Sequence, residues 1–338
     1  MWNQLWLFFF DLMSTSLIQC LLVLTVCIVL CSCASVKKLT GGHGKLADEE
    51  WVSYDSKTMP CKVWPVPAGV TPRGVIITVH GLSGAKSDFW YLGEQMPLHG
   101  YTVYAYDLRG QGNDPVVAER GDISGAAVWQ HDLATFHALV KRRHPKTPVF
   151  WYGESLGSLI ALHTAADLLS NRADPSGIIL ATPVAGLRQT LSSFKRFLLD
   201  TAAKLSPRSR YTLGELAGVD ESKIQVTSGS TLGGQMAVTP HHVSAFSLRL
   251  LSTIGGMLDG NADSAHHLKM PALFLASPND VLSSADQIQA LFAEVRSRDK
   301  KLLWYTRSYH LLLHDVQREE VVKDVTSWLN RQVEATRR

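Results

Sequence analysis

Three residue types in one chain order could together carry nucleophilic chemistry: Ser155, Asp280 and His310. Ser155 lies in Gly153-Glu154-Ser155-Leu156-Gly157, between the apolar run Pro148–Tyr152 (PVFWY) and a helical pattern that starts at Leu156. A serine on a tight strand-to-helix turn projects its hydroxyl from the end of a sheet, and flanking glycines remove the Cβ clashes such a turn creates. The helix that follows aims its N-terminal N–H groups at the same place, which favours developing negative charge. A packing turn with an incidental serine would give the same five letters. The strand before it and the helix after it favour the nucleophile.

A serine alcohol attacks poorly until a base takes its proton. In a strand–turn–helix architecture of this kind the acid and then the histidine follow the serine along the chain. Asp280 ends Ser277-Pro278-Asn279-Asp280, directly after the apolar run Ala272–Ala276 (ALFLA). His310 ends Ser308-Tyr309-His310, after Lys301–Tyr305 (KLLWY). Each member of the set therefore falls just past the C-terminal end of its own predicted strand. Asp286 is a rival acid, but it sits inside the next helical pattern. His314 is a rival base four residues beyond His310, which occupies the first loop position after the strand. A tetrahedral intermediate also needs N–H donors for its oxyanion. The backbone of Leu156 is one candidate, and that of Leu82 in His80-Gly81-Leu82-Ser83-Gly84 is the other. His80 is expected to hold that loop rather than to act as a second base.

The elements that must position these residues alternate along the chain. Short runs rich in β-branched and aromatic residues occur at Gly74–Val79, Tyr101–Tyr106, Pro148–Tyr152, Gly177–Ala181, Ala272–Ala276 and Lys301–Tyr305. They are continuously apolar, as strands covered on both faces must be. Helical patterns at about Ser124–Arg143, Leu156–Ser170, Ala285–Arg296 and Val316–Val333 fill most intervals, so the order predicts an α/β class protein with a mostly parallel sheet. One interval breaks the rhythm, with no convincing strand between Ala181 and Ala272. There Leu187, Leu191, Phe194, Leu198, Ala202 and Leu205, and then Val243, Phe246, Leu250, Ile254 and Met257, recur at helical spacing. Inserted helices at the catalytic end of a sheet would form a lid; an additional helical layer has the same periodicity.

The ordered set HGLSG, Asp107–Gly112 (DLRGQG), GESLG, PND and SYHLLLHD resembles the monoacylglycerol lipase/lysophospholipase group of α/β-hydrolases, a serine aminopeptidase S33-type group. It is also similar to related bacterial carboxylesterases. The resemblance spans about residues 51–333. It implies the α/β-hydrolase fold, an eight-stranded sheet under a helical cap at about 184–268, ester hydrolysis and no cofactor. It further implies a structural role for DLRGQG, with Asp107 fixing the loop. Ala276-Ser277 stands where the group usually has a glycine before the acid, which loosens the register around Asp280. Relatives on this scaffold also include short-chain esterases, aminopeptidases and acyltransferases, and a non-catalytic hydrolase-fold binding protein would be betrayed by a lost triad member.

Composition removes other classes. The chain has 338 residues, 46% hydrophobic and 19% charged, with a formal net charge of +3, so nucleic-acid binding has no electrostatic support. Adjacent pairs His241-His242 and His266-His267 diverge, and His310/His314 lacks the glutamate of a zinc-binding helix, so no metal site is expected. No protein partner is implied. Four of the five cysteines precede residue 34, which excludes a disulfide framework in the body.

Those cysteines belong to an apolar leader. Leu21–Leu30 fits the hydrophobic region of a signal, and Leu30-Cys31-Ser32-Cys33 resembles the lipobox of bacterial lipoproteins. That resemblance implies acylation of Cys33, cleavage before it, and a lipid-anchored enzyme on the periplasmic or extracellular side. Cys31, and an N-terminal region with Asp11 but no Lys or Arg, depart from the pattern. An uncleaved helix from about Met13 to Val36, with Lys37-Lys38 favouring a cytoplasmic catalytic domain, is the competing expectation. A plain secretory signal is the third. The expected organisation is thus a signal or anchor at 1–32, a polar tether at 33–50 and a hydrolase domain at 51–338.

Overall fold

The computed structural model describes residues 44–167, 175–188, 193–217 and 220–336. Cys33 and the rest of the apolar leader lie outside the described residues. Eight strands form one sheet: β1 (Glu50–Val52), β2 (Thr58–Trp64), β3 (Gly74–Val79), β4 (Tyr101–Tyr106), β5 (Val149–Glu154), β6 (Gly177–Ala181), β7 (Ala272–Ala276) and β8 (Lys300–Trp304). Their spatial order is β1-β2-β4-β3-β5-β6-β7-β8. The β1–β2 and β2–β4 pairs are antiparallel, and all other pairs are parallel.

The parallel strands from β4 to β7 are fully buried because both faces are covered, whereas the edge strand β8 opens on Lys300-Lys301 and is only partly buried. Val75, Ile77 and Val79 of β3 enter a core shared with Trp129, Leu133 and Phe136 of α2 (Ala126–Arg143) and Leu159 and Ile160 of α3 (Leu156–Asp167). Ile76 points the other way, into a core with Leu92 of α1 (Trp90–Gln95) and with Val321, Val325 and Trp328 near the C-terminus. The last three lie on the helix Arg318–Thr336.

The sequence pattern missed β1 and β2. Their burial alternates, and Pro60 and Lys62 interrupt the apolar positions of β2. Glu50 and the residues from Gly44 also belong to the domain body instead of a tether. The Val52 N–H donates to the Lys45 carbonyl, and the Cys61 N–H donates to that of Glu49, at 2.8 Å each. Trp51 is buried edge-on against Tyr106 and Phe136. The hairpin is further tied down by Arg109, whose guanidinium spans Asp55 (2.5 and 2.6 Å) and the buried Asp132 (2.7 and 2.9 Å). Burial raises the Asp132 carboxyl to about 6 although Arg109 and the Ser53 hydroxyl oppose the shift.

Between β6 and β7 lies the cap. It contains α4 (Ser193–Leu205), two short helices at Leu213–Ala217 and Leu232–Val238, then α5 (Leu248–Asp259) and α6 (Asn261–His267). Two-residue and three-residue strands at Arg210–Tyr211, Gln225–Thr227, Ser230–Thr231 and Phe246–Ser247 correct the expectation that this interval has no strand. They are too short for periodicity to register. Leu187 precedes α4, and Val243 and Phe246 precede α5, so each predicted amphipathic run begins before its helix.

Helix α3 starts where β5 ends, and close packing there explains both glycines around Ser155. A Cβ on Gly157 would stand 1.9 Å from the Val79 carbonyl oxygen, and one on Gly153 would stand 2.4 Å from that of Gly157. No side chain can yield, since backbone faces backbone. Gly157→Ala is therefore expected to lower unfolding stability by about 3 kcal/mol or more, at the upper end of overpacking costs. Chemical denaturation measures this, and wild-type stability in the variant would contradict the close approach.

Candidate active site

Ser155 adopts φ 54°, a left-handed conformation that a side-chain-bearing residue rarely takes. Its N–H donates to the Ala181 carbonyl at 3.0 Å, while its own carbonyl accepts the Ser158 hydroxyl at 2.6 Å and N–H at 2.9 Å. These bonds hold the strained turn between β5 and α3.

His310 follows β8 and Asp280 follows β7, and the structure brings both to Ser155. The His310 Nε2 lies 2.9 Å from Ser155 Oγ, and its Nδ1 lies 2.9 Å from Asp280 Oδ2. An ionised carboxylate can only accept, so Nδ1–H donates to Asp280 and leaves Nε2 free to accept the serine proton. The other oxygen of Asp280 accepts the Leu282 N–H at 2.7 Å. All three residues are buried, Asp280 almost completely at 1% exposure. Asp286 sits exposed in the first turn of the helix Ala285–Glu294. The hydrogen bonds to Ser155 and Asp280 are made by His310, and His314 takes no part in them.

Leu82 and Leu156 lie on the two backbone segments that flank Ser155. A Cβ on Gly81 would come within 3.2 Å of the Ser155 Cβ, so the HGLSG loop runs directly alongside the serine. That loop is held on several sides. His80 is fully buried; its Nδ1–H donates to the Gly81 carbonyl at 2.8 Å, and its Nε2 accepts the Leu108 N–H at 2.9 Å. Asp107 accepts both the N–H and the ammonium of Lys86 at 2.8 and 2.7 Å. Ser83, at φ 61°, donates its N–H to Gln111 Oε1 at 2.7 Å. Its hydroxyl accepts the Val243 N–H of the cap at 2.8 Å and lies 2.7 Å from His242 Nδ1. The sequence motifs contain Ser83, Gln111 and His242 but do not reveal that they pair, because contacts between segments this distant leave no local signal.

The electrostatics suit a base beside a serine. Burial works against the His310 imidazolium, but the charge and hydrogen bond of Asp280, helped by Glu154, outweigh it and raise the pKa above 6.5. Glu154 precedes the serine and has no hydrogen bond or ion pair among the described residues; its buried Oε2 is unpartnered. Burial lifts its carboxyl to about 7, with Asp88 adding to the rise and His310 opposing it. No group of three or more His, Cys, Asp or Glu side chains suited to a metal ion occurs among the described residues.

A serine–histidine–aspartate relay at the C-terminal edge of this eight-stranded sheet defines the class, a serine hydrolase of the α/β-hydrolase fold. The profile of the family described as serine aminopeptidase, S33 matches residues 70–317, and the chain belongs to that family. It is 24% identical over 292 residues to the monoglyceride lipase of Mus musculus, covering 84% of this chain and 90% of that one. It is 27% identical over 263 residues to phospholipase YtpA of Bacillus subtilis (strain 168), covering 75% and 93%. Among solved structures, the Paleococcus ferrophilus monoacylglycerol lipase superimposes with a TM-score of 0.67 at 21% identity, covering 81% of this chain and 99% of that one. That likeness establishes the shared fold.

The pH dependence follows from His310. The imidazole must be neutral to accept the serine proton, so a raised pKa places the acid limb of kcat/KM above 6.5. Asp280→Asn removes the attraction that raises it, leaving burial dominant. The limb should then move to lower pH while the rate falls by about 10³- to 10⁴-fold. Profiles on a soluble p-nitrophenyl ester check both effects. An unmoved limb would disconnect Asp280 from His310.

Proposed function

We propose that the protein hydrolyses lipid-derived carboxylic esters through an acyl-enzyme on Ser155. The observation that carries this reading is the continuous relay from Ser155 Oγ through His310 to Asp280, with 2.9 Å at each step. His310 takes the serine proton as Oγ attacks the ester carbonyl, and Asp280 stabilises the imidazolium. The N–H groups of Leu82 and Leu156 bind the oxyanion. His310 then returns the proton to the departing alcohol. Water, deprotonated by the same imidazole, attacks the acyl-enzyme and releases the acid and Ser155. No cofactor enters this sequence.

Monoacylglycerols and lysophospholipids are the substrates best supported. The relatives named monoglyceride lipase and phospholipase align along most of the chain. The cap also exposes Leu198, Leu205 and Val238, apolar residues suited to long acyl chains or their aggregates. A fluorophosphonate should label the wild type and not Ser155→Ala, whose turnover should fall by more than about 10⁴-fold. Equal labelling of the two would remove Ser155 as nucleophile. Among p-nitrophenyl esters of increasing chain length, monoacylglycerol and lysophospholipid, the lipid substrates should give the higher kcat/KM. Turnover of short-chain esters alone would leave a carboxylesterase, and turnover of aminoacyl amides would make it the peptidase its family description names.

Membrane association is part of the same reading. Among the described residues no helix is long and apolar enough to cross a membrane. The support comes from the leader, where Cys33 follows Leu30-Cys31-Ser32 after an uncharged apolar run. Lipidation there would place the enzyme at a bilayer surface, on the periplasmic or extracellular side. Radiolabelled palmitate should enter the wild type and not Cys33→Ala. Membrane-bound protein that takes up no label would favour the uncleaved helix.

A further inference from the structure

The cap touches the loops that carry Asp280 and His310 and the HGLSG loop beside Ser155. Val243 and His242 meet Ser83, the Arg188 N–H donates to the Leu282 carbonyl at 2.7 Å, and the hairpin at Gln225–Thr231 meets the loop that carries His310. The third contact differs in kind because it converges on one buried carboxylate outside the relay. Asp315, 5% exposed, has no ion pair among the described residues. Its Oδ1 accepts the Ser228 N–H at 2.9 Å, the Ser228 hydroxyl and the Val316 N–H at 2.8 Å. Its Oδ2 accepts the Tyr309 N–H at 2.8 Å. Four donors satisfy it without a cation, two of them from a cap residue 87 positions away.

The consequence for His310 follows from which N–H groups are held. The residue before it, Tyr309, is anchored to Asp315, and Asp315 is anchored to the hairpin through Ser228. The residue after it, Leu311, donates its N–H directly to the Val226 carbonyl of the same hairpin at 3.0 Å. The backbone on both sides of the base is thus fastened to one cap element, once directly and once through Asp315. Proton transfer from Ser155 needs hydrogen-bond distance at Nε2, and small misplacements of a catalytic group are costly.

We propose that Asp315 is a positioning residue through which the seated cap hairpin holds His310 in register with Ser155, so that cap seating sets the chemistry as well as access. The proposal rests on the relay reading above. Its lever is Ser228, whose hydrogen bonds to the His310 loop among the described residues all go to Asp315. Ser228→Ala removes one hydrogen bond on the cap side, and Ser228→Thr keeps it.

The test measures kcat and KM on a soluble p-nitrophenyl ester, the fluorophosphonate labelling rate, and the melting temperature of each full-length variant. Labelling by a small phosphonate depends on His310 activating Ser155 and makes little use of an acyl site. Ser228→Ala should lower both kcat and the labelling rate about 3- to 10-fold, and Asp315→Asn about 10- to 100-fold, with KM nearly constant. Ser228→Thr should restore both to within about twofold. If Asp315→Asn fails to fold, the Ser228 pair decides. Folded variants with unchanged labelling, or with a raised KM alone, would overturn the proposal and leave the cap a substrate-binding element. Labelling that persists in Ser155→Ala would instead defeat the relay reading itself.

Discussion

Helix α3 crosses β3 with Gly157 pressed against the Val79 carbonyl, closer than any side chain permits. That contact fixes where the helix begins relative to the sheet and therefore how sharply the chain must turn at Ser155. The turn forces Ser155 into the left-handed region, and the Ala181 carbonyl and Ser158 hold it there. Because the same crossing lies at the C-terminal end of β3, the HGLSG loop leaving that strand runs beside the serine. His310 and Asp280 arrive from β8 and β7, parallel to β6 and in register, so their loops emerge at the same edge. One backbone contact thus sets the origin from which the other distances in the site are measured.

Two buried carboxylates near His310 show how environment separates roles. Asp280 is met by the imidazole and by the Leu282 N–H. Glu154 has no such partners and is pushed up to about 7 by burial, with the charge on Asp88 adding to the rise. The first is the hydrogen-bond partner that orients the imidazole. The second changes charge near its raised pKa of about 7, and its interaction with His310 varies with pH accordingly.

Much of this was legible in the chain, for physical reasons that differ by element. Five inner strands announced themselves because burial on both faces demands nearly unbroken apolar runs, and the edge strand β8 through its Leu302–Trp304 stretch; Ser155, Asp280 and His310 each follow one of these strands. Strand β1 stayed hidden because it is a three-residue edge strand, and β2 because partial exposure lets Pro60 and Lys62 interrupt its pattern. The short cap strands were too brief to have a period. Ser83, Gln111, His242 and Asp315 act through contacts spanning many tens of residues, and a single sequence has no signature for such pairings. Asp315 stood within SYHLLLHD all along; only its neighbours in space give it a task.

The hairpin of β1 and β2 bears on where the domain starts. The family match begins at residue 70, but the fold is already committed at Gly44. A chain cut to the family boundary would expose the hydrogen-bonding edge of β4, uncover Tyr106 and Phe136 where Trp51 packs, and deprive Arg109 of Asp55. An open apolar strand edge invites pairing with other chains. The segment that carries no triad residue therefore covers the β4 edge of the sheet, and the folded domain begins well before its recognisable family core.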